Sequence, residues 1–228
     1  MMKVASKYFT EEDSKEISLA IVEAEKHTSG EIIPIVATVS GRYDRAEDIV
    51  GLIVAIISVS IGWCLFQDIQ TSSGWLSGLS ITFGLVPILI TIVLGFFVGT
   101  LLANIFPVLR TPFITKTEMQ AEVESRAAEV FQKFRIRKTK GSTGILIYVS
   151  LYEHMVRILG DDAISKKLNQ EDWQSICDII INGCKNKQIT QGMIDGIAKA
   201  GEMLGEHFPI QEGDVDELAN DLITIDSL

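Results

Sequence analysis

Asp161 and Asp162 stand side by side after a stretch that reads as a strand, and adjacent carboxylates there could hold a hard cation such as calcium or magnesium. The same pair precedes Ala163-Ile164-Ser165, which reads as the start of a short helix, and helix amino termini also favour acidic residues. A second stretch with chemical potential is Lys133, Arg135, Arg137, Lys138 and Lys140, a dense basic run that could attract anionic lipid or an acidic partner. Its bland reading is a positive helix end complementing the helix dipole. Glu31, entering a strand, is a third candidate carboxylate, for which a solvated side chain is the simpler description.

Other chemistries find little support. The histidines His27, His154 and His207 are scattered and read as helix-end or surface residues. No Gly-rich phosphate loop, HExxH pair or GxSxG elbow occurs. Cys177 and Cys184 fall on one expected helix too far apart for a disulfide, and Cys64 lies in an apolar run, so buried thiols are expected. With 30 acidic residues against 20 basic ones, and Phe134 alone interleaved with the basic run, nucleic acid is not an expected partner.

The elements that must position these groups divide into apolar and mixed segments. Ile49 to Phe66 carries no charge, and after Asp68 none appears until Arg110. A helix of about 20 apolar residues crosses a hydrocarbon core of roughly 30 Å, and it satisfies its own backbone as a lone strand cannot. Two spanning helices are therefore expected, at about 49–66 and 79–102. Gly95 and Gly99 give the second a small-residue face, either a dimerisation seam or the packing surface against the first span. Arg42 and Arg45 precede the first span and Arg110 and Lys116 follow the second, while the loop between them has no Lys or Arg. By the positive-inside rule both flanks face the cytoplasm of a plasma (inner) membrane. The first 30 residues lack the apolar core of a cleavable leader, so the first span is expected to act as its own insertion signal.

Residues 1–48 are too few to bury a core alone and are expected to pair with residues 111–209 in one α/β domain, leaving an acidic tail at 210–228. Thr10 to Asp13 resembles a capping box opening a helix with Ile17, Ala20, Ile21 and Ala24 at helical spacing. Glu31 to Val39 reads as a strand, with Pro34 arguing for an edge or a bulge. Residues 144–151 and 155–159 read as a hairpin. Helical stripes follow at Met119 to Phe134, after an Asn169 cap, and after Thr190 as a possible cap. In the tail, Val215, Leu218, Ala219, Leu222 and Ile223 recur at roughly helical spacing. That fits either an amphipathic peptide for a protein partner or a last helix docked on its own domain.

Thr28-Ser29-Gly30-Glu31-Ile32, Gly144-Ile-Leu-Ile-Tyr-Val-Ser150, Arg157-Ile-Leu-Gly-Asp-Asp162, Trp173 and Gly192 through His207-Phe208-Pro209 together resemble, in that order, the TPM domain family. The resemblance covers about residues 8–48 and 112–209. It implies a three-layer α/β/α sandwich with a small central sheet, here interrupted by the two-helix transmembrane hairpin. It also implies, from what is reported in the family, acid phosphatase activity with calcium or another divalent cation near the carboxyl ends of the strands. Gly160-Asp161-Asp162 is the matching position, where a held cation would polarise a phosphate oxygen. The family's acidic residue ahead of the first helix is replaced here by Ala5-Ser6-Lys7-Tyr8-Phe9. That departure shifts the expectation from a hydrolase toward a membrane-held scaffold or regulatory binding module.

Overall fold

The computed structural model describes residues 4–67, 84–134, 136, 143–210 and 219–226. The chain divides into two compact units: Tyr43–Lys116 forms one, and the flanking chain, up to Arg42 and from Thr117 onward, forms the other.

The flanking chain builds a mixed α/β fold on a four-stranded sheet of order β3-β2-β1-β4. The strands are β1 (Glu31–Ala37), β2 (Gly144–Ser150), β3 (Met155–Gly160) and β4 (Ile223–Ile225). β1 pairs in parallel with β2 and with β4, and β2 pairs antiparallel with β3 through the tight turn at 151–154. Every residue of β1 and β2 is buried, as a parallel pair covered on both faces requires.

Alternation along the central strands sends side chains to two cores. Ile32, Val36, Ile145, Ile147 and Val149 pack with Ile17 and Ile21 of α1 (Glu11–Glu25), Ile176 and Ile180 of α6 (Gln170–Lys185), and Ile197 and Leu204 of α7 (Ile189–His207). Ile33, Ile35, Leu146 and Tyr148 go instead to Val123, Ala127, Val130 and Phe131 of α4 (Lys116–Lys133). Burying a Val, Leu or Ile side chain contributes about 1.5–3 kcal/mol, so these two interleaved sets dominate the stability of the unit.

Helix starts follow local chemistry. Thr10 and Asp13 form the expected capping box, and Asn169 with Asp172 forms another at α6. Thr190 does not cap α7: that helix begins at Ile189 without a side-chain cap, and the Thr190 hydroxyl donates to Asp13 Oδ1 at 2.9 Å. The α6–α7 turn is tight because a Cβ on Gly183 would lie 2.5 Å from Gly192 Cα, a separation no side chain permits.

Pro34 lies inside β1 at a point where one side of the strand is still an edge. Glu31 N–H donates to Thr143 O on the β2 side, so even-numbered amides face the other way. There Ile32 N–H donates to Glu25 Oε1 at 2.8 Å, Pro34 has no N–H to satisfy, and β4 pairing begins at Ile35. The tail, expected as a helix or free peptide, instead supplies β4 over Ile223–Ile225, with Leu222 packed against the first core. Its helical spacing was misleading because three paired residues are too few to show a strand period. Asp226 fixes its end, accepting from Ser6 N–H at 2.9 Å and from the Ser6 hydroxyl at 2.6 Å.

The Tyr43–Lys116 unit holds α2 (Asp44–Gln67) and α3 (Leu85–Ile105), both long and apolar enough to cross a membrane, each with mean hydropathy 2.6. They run antiparallel in close contact. A Cβ on Gly95 would sit 2.8 Å from Ala55 Cα, and one on Gly99 would sit 2.7 Å from Gly51 Cα. The small-residue face is thus the packing surface against α2. Elsewhere the pair is apolar and bare: Leu65 and Phe97 are each 65% exposed and Leu85 is 71% exposed. At its base Glu47 pairs with Arg110, whose guanidinium lies 5.7 Å from the centre of the Tyr43 ring, and Arg45 donates to Phe113 O at 3.2 Å. The start of α2 and the chain after α3 therefore meet.

Candidate functional site

Two parallel strands ending side by side leave a crevice beyond their carboxyl ends, where open α/β sheets place ligands. Here β1 and β2 end in register at Ala37 and Ser150. Beyond them Glu153 is buried and accepts from Ser40 N–H at 2.9 Å, from Gly41 N–H at 3.3 Å and from the Ser150 hydroxyl. Ser40 Oγ lies 2.7 Å from Ser150 Oγ and 3.0 Å from the Tyr148 hydroxyl. Burial raises the Tyr148 phenol above its ordinary value, so it stays protonated and able to donate. Next to this network Thr38 Oγ1 accepts from Ala5 N–H at 2.7 Å, tying the amino-terminal segment over the strand ends.

A Ser hydroxyl on a carboxylate is the first half of a nucleophile arrangement, but Ser150 and Ser40 are 1% and 3% exposed. The network closes the strand ends and sets the path of the 151–154 turn. Beside it lies an open cavity of about 570 Å³. Val149, Ser150, Leu151, Met155 and Val156 line it on the strand side, and Ile181, Cys184, Lys185, Lys187 and Ile189 line it on the α6–α7 side.

Asp161 and Asp162 lie at the opposite end of the sheet. Because β3 runs antiparallel, its carboxyl end meets the amino ends of β1 and β2: Asp161 N–H donates to Gly144 O at 3.0 Å, and Gly144 pairs with Glu31. Asp161 is buried as the N-cap of α5 (Asp162–Ser165), its Oδ1 accepting from Asp162 N–H at 2.7 Å, whereas Asp162 is exposed. Glu31 is buried, not solvated, because β1 starts beneath the second half of α7, where Leu204 reaches Gly30. Among the described residues, no three His, Cys, Asp or Glu side chains form a metal-holding group.

Of the basic run, Lys133 ends α4, the dipole-complementing position; Arg135, Arg137, Lys138 and Lys140 lie outside the described residues. Cys177 and Cys184 are half-buried, which pushes the Cys177 thiol up to about 11 and raises Cys184 as well, whereas Cys64, expected to be buried, is exposed on α2. The Ser40, Tyr148, Ser150 and Glu153 network escaped the sequence reading. Its one local signal, a polar Ser150-to-His154 stretch after an apolar strand, is shared by any hairpin turn, and Ser40 joins it only through tertiary pairing 110 residues away.

Comparison with known proteins bears on the fold. Residues 111–203 match the family model described as the TPM domain. Among solved structures, the NMR structure of BA42 protein from the psychrophilic bacterium Bizionia argentinensis is similar with a TM-score of 0.56 and 24% identity. The match covers 98% of this chain and 99% of that one. No curated protein matches the chain.

Proposed function

From the premise that this chain carries a TPM domain, we propose that it is an integral membrane protein using that domain as a cytoplasmic scaffold or regulatory binding module. The domain is a three-layer α/β/α sandwich assembled from residues 1–48 and 111–209. The two-helix transmembrane hairpin at 49–110 interrupts it, and both flanks lie on the cytoplasmic side of a bacterial inner membrane.

The observation that carries the membrane part is the surface of α2 and α3, which pack on each other through glycines and leave the rest of their apolar faces uncovered. Water would penalise that surface, and a bilayer removes the penalty. The Glu47–Arg110 pair at the base of both helices supports a single side for the two flanks. Binding is favoured over catalysis because the polar network at the strand ends is closed, while the cavity beside it is open and largely apolar.

The test is labelling of Ser73→Cys in a chain whose Cys64, Cys177 and Cys184 are replaced by Ser. A membrane-impermeant maleimide should reach Ser73→Cys from outside intact cells; labelling only after lysis would reverse the orientation.

A metal-assisted acid phosphatase is the second reading, supported by two buried carboxylates, Glu31 and Asp161, on either side of Gly144. Asp161 and Asp162 would then be the ligands. Hydrolysis of a generic phosphomonoester, with magnesium, calcium or chelator, decides between the two. Turnover abolished both by chelator and by Asp161→Asn/Asp162→Asn establishes the phosphatase, and no turnover under any condition favours the binding module.

A further inference from the structure

We propose that the cavity between the 151–154 turn and the α6–α7 junction binds an anionic amphiphile: a carboxylate or phosphate head on an apolar chain. Lys185 and Lys187 hold the head at the rim, and the apolar wall takes the chain. The inference goes beyond the scaffold reading and does not depend on which side of a membrane the domain occupies.

A volume of about 570 Å³ lies within the roughly 300–1,000 Å³ typical of small-molecule sites. Its wall is Val149, Leu151, Val156, Ile181 and Ile189, and its rim carries His154, Lys185 and Lys187, all three exposed. In a chain of net charge −10, no Asp or Glu lines this cavity among the described residues. Among the described residues neither lysine ammonium has an ion-pair or hydrogen-bond partner. Two basic groups above an apolar wall present a field for one anionic head and a surface for its tail.

Backbone conformation at the rim points the same way. His154 and Lys187 have φ of 54° and 59°, the left-handed region that Gly, Asn, Asp and His enter more readily than Lys. Lys187 sits just past the end of α6, where Gly or Asn would serve the geometry at lower cost. Lys187 is thus placed against local preference at the opening, and strain of this kind gathers at ligand sites.

The test is calorimetric titration of the full-length protein in phosphatidylcholine nanodiscs, with empty nanodiscs subtracted, using octanoate, octyl phosphate, 1-octanol and inorganic phosphate. Saturable one-to-one binding of octanoate or octyl phosphate is expected, and the stronger of the two identifies the head. Lys185→Gln/Lys187→Gln should weaken it at least tenfold without changing thermal unfolding, since both side chains are exposed. Octanol and inorganic phosphate should each bind at least tenfold more weakly than the better anion. Occupancy should also slow alkylation of Cys184, on the cavity wall, more than that of Cys177. The proposal is overturned if neither anion gives saturable heat, if the variant or octanol binds equally well, if inorganic phosphate alone matches the amphiphile, or if Cys184 is unprotected.

Discussion

Glu153 shows how one side chain can organise a loop. Its carboxylate receives two backbone N–H groups and one hydroxyl where the chain leaves β2 and where it leaves β1. Glu153→Ala leaves buried donors without an acceptor, at about 1–3 kcal/mol each in the worst case, so a loss of about 3 kcal/mol is expected in a denaturant titration. Glu153→Gln keeps an amide oxygen for Ser40 N–H and should lose about half as much. Equal losses in the two variants would show that packing, not hydrogen bonding, is what Glu153 supplies. Asp161 illustrates the opposite lesson. Two adjacent carboxylates look like one site in a sequence, yet a single peptide step turns one inward as a cap and the other outward.

At the scale of elements, α2 and α3 meet backbone to backbone. Gly99 meets Gly51 Cα and Gly95 meets Ala55 Cα, so a side chain at either position must push α2 and α3 apart. Gly99→Leu is expected to lower hairpin stability by about 1–3 kcal/mol, the usual cost of overpacking. It should be visible as a lower unfolding temperature in nanodiscs, whereas Leu101→Ala, on the exposed face, should change little. These helices were legible beforehand because an uncharged run of membrane length has few alternatives. The same holds for α1 and α6, whose capping residues and apolar spacing agree. β4 was not legible, because a strand of three residues gains its identity only from pairing with Ile35, Val36 and Ala37. The cavity was equally hidden: its walls come from a hairpin and a helix junction that are separate in sequence, and no local pattern marks the space between them.

Across the whole chain, the segment around Asp226 is held to the segment around Ser6, and Ser18 donates to Asp221 at 3.2 Å. The Ser6 hydrogen bonds hold the Asp226 carboxyl below its ordinary 3.8, and those from Thr10 lower Asp13 similarly. A carboxyl lowered in the folded state stabilises it fully above pH 3.8, and the contribution fades as pH falls through the lowered value. Tail docking should accordingly be flat with pH near neutrality and weaken only below about pH 4. Amide exchange at Thr38, whose N–H donates to Ile225 O, reports this directly. Asp226→Asn should lower the protection of that amide at pH 7, measured against its intrinsic exchange rate, to the degree the parent protein shows only in acid. An exchange rate unchanged by Asp226→Asn would mean that β4 pairing alone seats the tail.

The Ser6 to Asp226 bond spans 220 residues, which places a clock on synthesis. At about 5–20 residues per second, β1 leaves the ribosome on the order of 10–40 s before the strand that completes it. During that interval α2 and α3 are also made, and an apolar β1 waits with both edges bare until β2 is made and with one bare until β4. A nascent chain halted before Ile223 would therefore carry its central strand open on one side, an edge ready to pair with another chain.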